Sequence, residues 1–428
     1  MYALYSLLLA GVALLSLPWW LVQMLRLGKY RTGLAERFGF VPARLKGATA
    51  GCIWVHAVSV GEVLAVGQLI TELQRKYPDR QIFVSTTTAT GQKLARQRYG
   101  ENRVFFMPLD FGFAVRPYLN ALRPQLLVIA ETEFWPNLLH LAGKRQTSLA
   151  IVNARISDRS FPRYRRFRWF FGRVLSEVDL FLAQTAEDAR RLREIGAATG
   201  RVQVSGNLKF DVRPNAQPTL VNGLRVSMAK DSPVIVCGST AEGEEEPLLE
   251  AYKAVQRQFP ASIMVLAPRH PERFEKVAAI ISSAGFAVQR RSSWMPSQPF
   301  NPGICLLDSV GELAAVYELA DIAFVGGSLV ATGGHNILEP AQYGSAIVVG
   351  PHTFNFREIV SIFELGGAIN IATVETLASQ FIRLLNQPEE RERQGRLAKD
   401  LFTKYAGATH RTLDALGPFL TRQERVTR

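Results

Sequence analysis

The feature that most limits how this chain can fold is a repeated alternation. Short apolar runs of strand length each end in a small or polar turn, and a helix-length stretch follows. The runs fall at 51–58, 81–86, 104–107, 126–130, 149–152, 180–183 and 202–204, with helical patterns at 62–76 and 91–99. Strands alternating with helices predict a parallel sheet covered on both faces. A polar, proline-containing stretch at 212–231 breaks the pattern. Alternation resumes at Pro233, with strands ending near Ser239-Thr240 and Pro268 and further strands at 304–307, 322–325 and 346–349; helices are expected at 245–258 and 389–405. The expected division is an N-terminal anchor (1–25), a first Rossmann-like domain (26–211), a linker (212–231) and a second Rossmann-like domain with a C-terminal helix (232–428). The length of 428 residues suits two domains, and 47% hydrophobic residues suit two cores. The fold class is α/β, two doubly wound domains facing a cleft. In such sheets ligands bind beyond the carboxyl ends of the strands, so the strand-to-helix turns are where chemistry belongs.

Six turns carry suitable residues. In HAVSVGE (56–62), Gly61 permits a tight turn that puts Glu62 at a helix start. There the helix dipole is expected to keep the carboxylate ionised and ready to accept a proton. ETEFWPN (131–137) sets Glu131 and Glu133 beside aromatic residues, a costly placement without a role. GNLKFD (206–211) offers Lys209 to a leaving phosphate. PRHPERF (268–274) offers Arg269, a side chain that can grip a phosphate bidentately. With Ser239-Thr240 and Gly326-Gly327-Ser328 it predicts an anion pocket. DSVGEL (308–313) is a turn whose backbone can meet a base edge. In GGHNILEP (333–340), glycines allow close backbone approach, a helix N-terminus at 333–336 faces an anion, and Glu339 can accept from sugar hydroxyls. Taken singly, each motif also has a structural explanation: a dipole-serving acid, a solvated loop, a surface lysine.

The formal net charge of +13 fits an anionic partner. Residues 155–173 hold seven arginines and one aspartate, among them Arg163, Arg165, Arg166 and Arg168, interleaved with Tyr164, Phe167, Trp169, Phe170 and Phe171. An anionic lipid surface suits this stretch better than nucleic acid, because the N-terminus is apolar. Residues 1–25 carry no charged side chain, and 3–22 are long enough for a membrane helix interrupted by Pro18. Arg26, Lys29, Arg31, Arg37, Arg44 and Lys46 follow, against Glu36 alone. This predicts an uncleaved membrane anchor, single-pass or monotopic, with the bulk of the protein on the cytoplasmic face. Cys52, Cys237 and Cys305 show no metal-ligand or disulfide spacing, which suits a reducing compartment. There is no HExxH, no CxxC, no Asp-x-Asp and no G-x-G-x-x-G at the first turn, so neither a metal site nor a dinucleotide cofactor is expected.

Together HAVSVGE, TTTATG (86–91), ETEFWPN, NARISDRS (153–160), GNLKFD, PRHPERF, DSVGEL, GGHNILEP and GPHTFNF (350–356), in this order along the chain, resemble the 3-deoxy-D-manno-octulosonic acid (Kdo) transferases of lipopolysaccharide assembly. The resemblance implies a GT-B fold and transfer of Kdo from CMP-Kdo to the lipid A precursor, with inversion and without a metal or other cofactor. It implies Glu62 as general base. Glu131 and Lys209 would stabilise the transition state, with Glu133 sharing or taking the acid's part. It further implies Pro268 and Arg269 at the CMP phosphate, and Val310, Gly311 and Glu312 at the cytosine. Asn336, Ile337, Leu338 and Glu339 would lie about the ribose. Rival readings are a UDP-sugar transferase of the same fold, a membrane-tethered binding protein on a retired transferase fold, and nucleic-acid binding through 155–173.

Overall fold

The computed structural model describes residues 1–27, 32–211, 218–228, 232–295 and 299–421. Lys29, Arg31, most of the non-helical part of the expected linker and residues 422–428 lie outside these. The chain divides into two units, Met1–Val212 with Ala406–Arg428, and Arg213–Tyr405.

The first unit is built on a seven-stranded parallel sheet. Its strands are β1 (Ile53–His56), β2 (Ile82–Thr86), β3 (Val104–Phe106), β4 (Leu126–Ala130), β5 (Ser148–Ala154), β6 (Leu180–Ala183) and β7 (Val202–Val204), in the order β3-β2-β1-β4-β5-β6-β7. The central strands are buried along their whole length, as continuous apolar runs must be when helices cover both faces. Two apolar layers flank the sheet. One contains Trp54, Phe105, Tyr118 and Phe181; the other contains Val55, Val84, Val128 and Val152. The helix expected at 62–76 is two helices, Val60–Ala65 and Gly67–Lys76, meeting at Val66.

The second unit repeats the architecture with β8 (Val234–Thr240), β9 (Ile263–Pro268), β10 (Val288–Arg290), β11 (Gly303–Leu306), β12 (Ile322–Val325), β13 (Ala346–Val349) and β14 (Ile369–Ile371). The order is β10-β11-β9-β8-β12-β13-β14, all neighbours parallel. The two outermost strands, β10 and β14, are three residues each and escape the sequence pattern because neither is a run of apolar residues.

Three expectations need correction. The polar stretch at 212–231 is not all linker, because Pro218–Ser227 is a helix with Val221 and Leu224 buried. The chain ends in a further helix, Ala408–Thr421, which packs in the first unit, its Leu413, Leu416 and Leu420 joining the layer of Val55 and Val128. Asp211 fixes its start, accepting from the backbone N–H of Gly407 at 2.5 Å and from that of Thr409. Residues after 405 thus return to the first unit, where the sequence placed them with the second. Finally, the N-terminal apolar segment forms a helix, Tyr2–Leu27, but among the described residues no helix is long and apolar enough to cross a membrane. A bilayer-spanning anchor is therefore not supported.

Candidate active site

In the first unit the functional turns gather at the carboxyl end of the sheet. β1 ends on His56, which is fully buried with Nδ1 2.9 Å from Ser85 Oγ. Burial lowers its pKa to about 4, so the ring is neutral. Glu62 follows one turn into Val60–Ala65 and is only 7% exposed. Its Oε2 accepts from the Val58 N–H at 2.8 Å and its Oε1 from the Ser59 hydroxyl at 3.1 Å. The expectation that the helix dipole holds this carboxyl low is wrong. Burial, with Glu131 and Glu133 adding repulsion, outweighs the hydrogen bonds and raises its pKa to about 7. A base with that value is matched to proton transfer near neutral pH.

Glu131 stands just beyond β4 with φ 56°, a left-handed conformation that costs a non-glycine residue roughly 1–3 kcal/mol. Asn153, on β5, has φ 55°. Such strain persists only where surrounding bonds impose it. Those bonds link three motifs. The Thr132 hydroxyl donates to the Arg155 carbonyl, and the Arg155 N–H donates back to Thr132 Oγ1 at 3.1 Å. Asn153 Oδ1 accepts from the Leu208 N–H at 3.0 Å, and Asn207 Oδ1 accepts from the Lys209 N–H at 3.0 Å. The result sets Lys209 Nζ 3.7 Å from Glu131 Oε1. Glu133 carries a carboxyl raised by burial and then by Glu131. Thus Glu62, Glu131, Glu133 and Lys209 form one electrostatic cluster. The end of ETEFWPN is structural: Asp110 accepts from the N–H groups of Asn137 at 3.0 Å and Leu138 at 2.8 Å, capping Pro136–Gly143.

Residues 161–175 form two short helices with Arg163, Arg165, Arg166 and Arg168 exposed. The aromatics do not all face outward as expected. Tyr164, Phe170 and Phe171 pack with Phe134 against the core, because a short amphipathic helix must bury one face. Phe167 and Trp169 remain exposed, at 45% and 65%.

In the second unit, Arg269 leaves β9 exposed, its N–H donating to the Thr240 carbonyl at 3.0 Å. Pro268 is buried in the strand. Burial drives the His335 pKa down to about 4, with Arg269 and His270 contributing. Burial raises the Glu339 carboxyl, opposed by its bond to Asn336 and by Arg269. Arg269, His335 and Glu339 therefore share one field. The helix expected to open at Gly333–Asn336 begins only at Leu338 and is four residues long. Its Leu338 N–H is taken by Asn336 Oδ1 at 3.2 Å, while Ile337 and Leu338 point into the core. Glu312 is held by Arg291 at 2.9 Å and by the Ser309 hydroxyl, leaving Val310 exposed at the turn's tip.

The expected anion pocket at Gly326–Ser328 is already filled. The carboxylate of Glu244, which the sequence reading passed over, accepts from the amides of Gly327 and Ser328. Arg291 and Glu244 were missed because each acts through a partner distant in sequence or through backbone. The only signal for Glu244 was the run of three acids at 244–246, which reads as an ordinary helix start.

Two Rossmann-like parallel-sheet units, each with its polar side chains gathered at strand ends, resemble the GT-B glycosyltransferases. The calicheamicin glycosyltransferase CalG4 superposes with a TM-score of 0.51 over 87% of this chain and 99% of its own, at 15% identity, a likeness of fold alone. Residues 32–212 match the family described as 3-deoxy-D-manno-octulosonic-acid transferase (kdotransferase). The 3-deoxy-D-manno-octulosonic acid transferase of Haemophilus influenzae is 36% identical over 404 residues, 92% of this chain and 93% of that protein. The one from Bordetella pertussis is 36% identical over 429 residues, 97% of this chain and 99% of its own length. The chain belongs to the Kdo transferase family.

Proposed function

We propose that this protein transfers Kdo from CMP-Kdo to a hydroxyl of the lipid A precursor, with inversion at the anomeric carbon. The observation that carries the mechanism is the Glu62 carboxyl, buried, doubly hydrogen-bonded and raised to about 7. Glu62 takes the proton of the acceptor hydroxyl. The freed oxygen attacks the anomeric carbon from the side opposite the nucleotide. The bond from that carbon to the phosphate oxygen breaks, and CMP leaves with the electron pair. Arg269 meets the phosphate, while Lys209, aligned by Glu131, offsets charge developing at the sugar. The turn of Val310, Gly311 and Glu312 receives the base, and Asn336 with Glu339 the ribose hydroxyls. The buried Nε2 of His56 and Nε1 of Trp135, which have no hydrogen-bond partner among the described residues, suit hydroxyls of the acceptor.

Membrane contact is part of the reading. The N-terminal helix is tied down at its start: Tyr2 donates to Glu177 Oε1 at 3.1 Å, and Ser6 Oγ accepts from Asn137 at 3.0 Å. From Val12 to Val22 every described side chain except Ser16 is exposed, and most are apolar. A helix apolar on all sides belongs in lipid. We place it in one leaflet, with Trp169 at the boundary and the arginines at 163–168 toward phosphates, on the cytoplasmic side of the inner membrane.

Incubation with CMP-Kdo and tetraacylated lipid A precursor should yield a product heavier by one or more Kdo units in the mass spectrum. Inhibition by UDP but not CMP, with no such product, would overturn the assignment in favour of a UDP-sugar transferase.

A further inference from the structure

Two loops of the second unit, leaving the neighbouring strands β8 and β12, converge on one side chain. Glu244 follows β8 and has no exposed surface. Its Oε2 accepts from the N–H groups of Gly327 at 2.7 Å and Ala241 at 2.8 Å. Its Oε1 accepts from Leu329 at 2.8 Å and Ser328 at 2.9 Å. Converging backbone amides of this kind form the concavities that hold bound phosphates. Here the chain supplies the anion itself. No cation pairs with Glu244 among the described residues, whereas its neighbour Glu245 pairs with Arg273 at 2.8 Å. The amides alone compensate the buried charge.

What the nest holds leads to the nucleotide residues. The Gly327 carbonyl accepts from the Gly334 N–H at 2.6 Å and from the Thr332 hydroxyl at 2.8 Å, fixing the approach to Asn336 and Glu339. Ser328 Oγ accepts from the Gly350 N–H at 2.8 Å. Packing there is tight, since a Cβ on Gly350 would lie 2.2 Å from the Ser328 carbonyl oxygen. A shift of the Gly327–Leu329 backbone is therefore transmitted to both following loops.

We propose that Glu244 is a positioning residue for the sugar nucleotide. It is a built-in anion that closes the Gly327–Leu329 amides to the donor phosphate and sets the segment carrying Asn336 and Glu339. The phosphate is then left to Arg269 and not to a glycine nest. This rests on the nucleotide role proposed above for that segment.

The test uses the full chain. Glu244→Gln keeps the volume but turns an NH2 group toward amide donors. Glu244→Ala leaves a space lined by four N–H groups that formate can enter. In both variants CMP affinity, read by calorimetry, should fall about tenfold or more, the loss of one or two hydrogen bonds at the ligand. Excess formate should restore affinity and raise the melting temperature of Glu244→Ala alone, not of the parent or Glu244→Gln. Parental CMP affinity in both variants, or a Glu244→Ala protein that ignores formate, overturns the inference. If Glu244→Ala does not fold, CMP affinity of Glu244→Gln decides. Should the parent bind no CMP, the nucleotide role fails, while the formate-dependent melting temperature still reports whether the nest needs its anion.

Discussion

Glu62 shows how one side chain is set by its surroundings more than by its position on a helix. A carboxyl raised to about 7 must be ionised to act as base, so turnover of CMP-Kdo should rise tenfold per pH unit below about 7 and level off above. Glu131→Gln should move this limb to lower pH by removing one repelling charge, but only in part, because burial is the larger cause; the pH–rate profile measures it. Glu62→Ala should cost about a thousandfold in turnover with CMP affinity unchanged. The same shift bears on stability. The folded pKa lies above the ordinary 4.5, so the native state holds its proton more tightly and stability is lost as pH rises from about 4.5 through about 7. Glu62→Gln, which cannot ionise, should therefore be the more stable protein at about pH 8, by on the order of 2 kcal/mol, with the gap closing at about pH 5 in thermal melts. Lys209→Ala should lower turnover about a hundredfold yet cost under about 1 kcal/mol of stability, because the pair with Glu131 is partly solvated. That Glu62 belongs to a strand-end turn was legible in HAVSVGE, from Gly61 and the apolar run before it. Its pKa was not, because burial, the larger cause, is set by tertiary packing, and the two acids that add to it, Glu131 and Glu133, arrive from a turn about seventy residues away.

At the scale of elements, the central strands were legible because both faces are buried and their sequences are unbroken apolar runs. The edges were not. Val288–Arg290 alternates with polar residues, and Ile369–Ile371 carries an asparagine that bonds to Gln394 at 2.7 Å. Nor did the sequence show where Ala408–Thr421 docks, since an amphipathic helix states that it has a partner face but not whose. The address is written in Asp211, seven residues beyond the end of β7, which supplies the cap almost two hundred residues on. Asp211→Ala should strip that cap and lower stability by about 1–2 kcal/mol, seen as an earlier midpoint in urea unfolding. GNLKFD thus joins two duties: Lys209 pairs with Glu131, the basis of its proposed role at the site, and Asp211 holds the helix that completes the first domain's core.

For the molecule as a whole, the question is what an apolar helix and a cationic surface contribute together. Leu7, Leu8 and Leu15 are 71%, 63% and 86% exposed, whereas Tyr2 and Ser6, on the same helix, are bonded to the first unit. The two sets separate membrane contact from folding. Replacing Leu7, Leu8 and Leu15 by Ser removes apolar area that nothing in the first unit covers, so the melting temperature should stay near that of the parent. Each buried leucine contributes roughly 1.5–3 kcal/mol to transfer out of water, so the triple variant should bind vesicles at least a hundredfold more weakly at any salt concentration. Changing Arg163, Arg165, Arg166 and Arg168 to Gln should act differently. Charge attraction to anionic lipid is about 1 kcal/mol per arginine near the surface and is screened within a Debye length. Binding to anionic vesicles should therefore fall at low salt and converge on the parent at high salt, and binding to zwitterionic vesicles should not change. Sedimentation with vesicles of the two compositions, at two salt concentrations, reads all four cases. Equal loss from both variants on zwitterionic lipid would mean that the arginines support the fold of 161–175 and not the contact with phosphates. Turnover of a detergent-dispersed acceptor should survive in both variants, because neither set touches Glu62, Glu131 or Lys209.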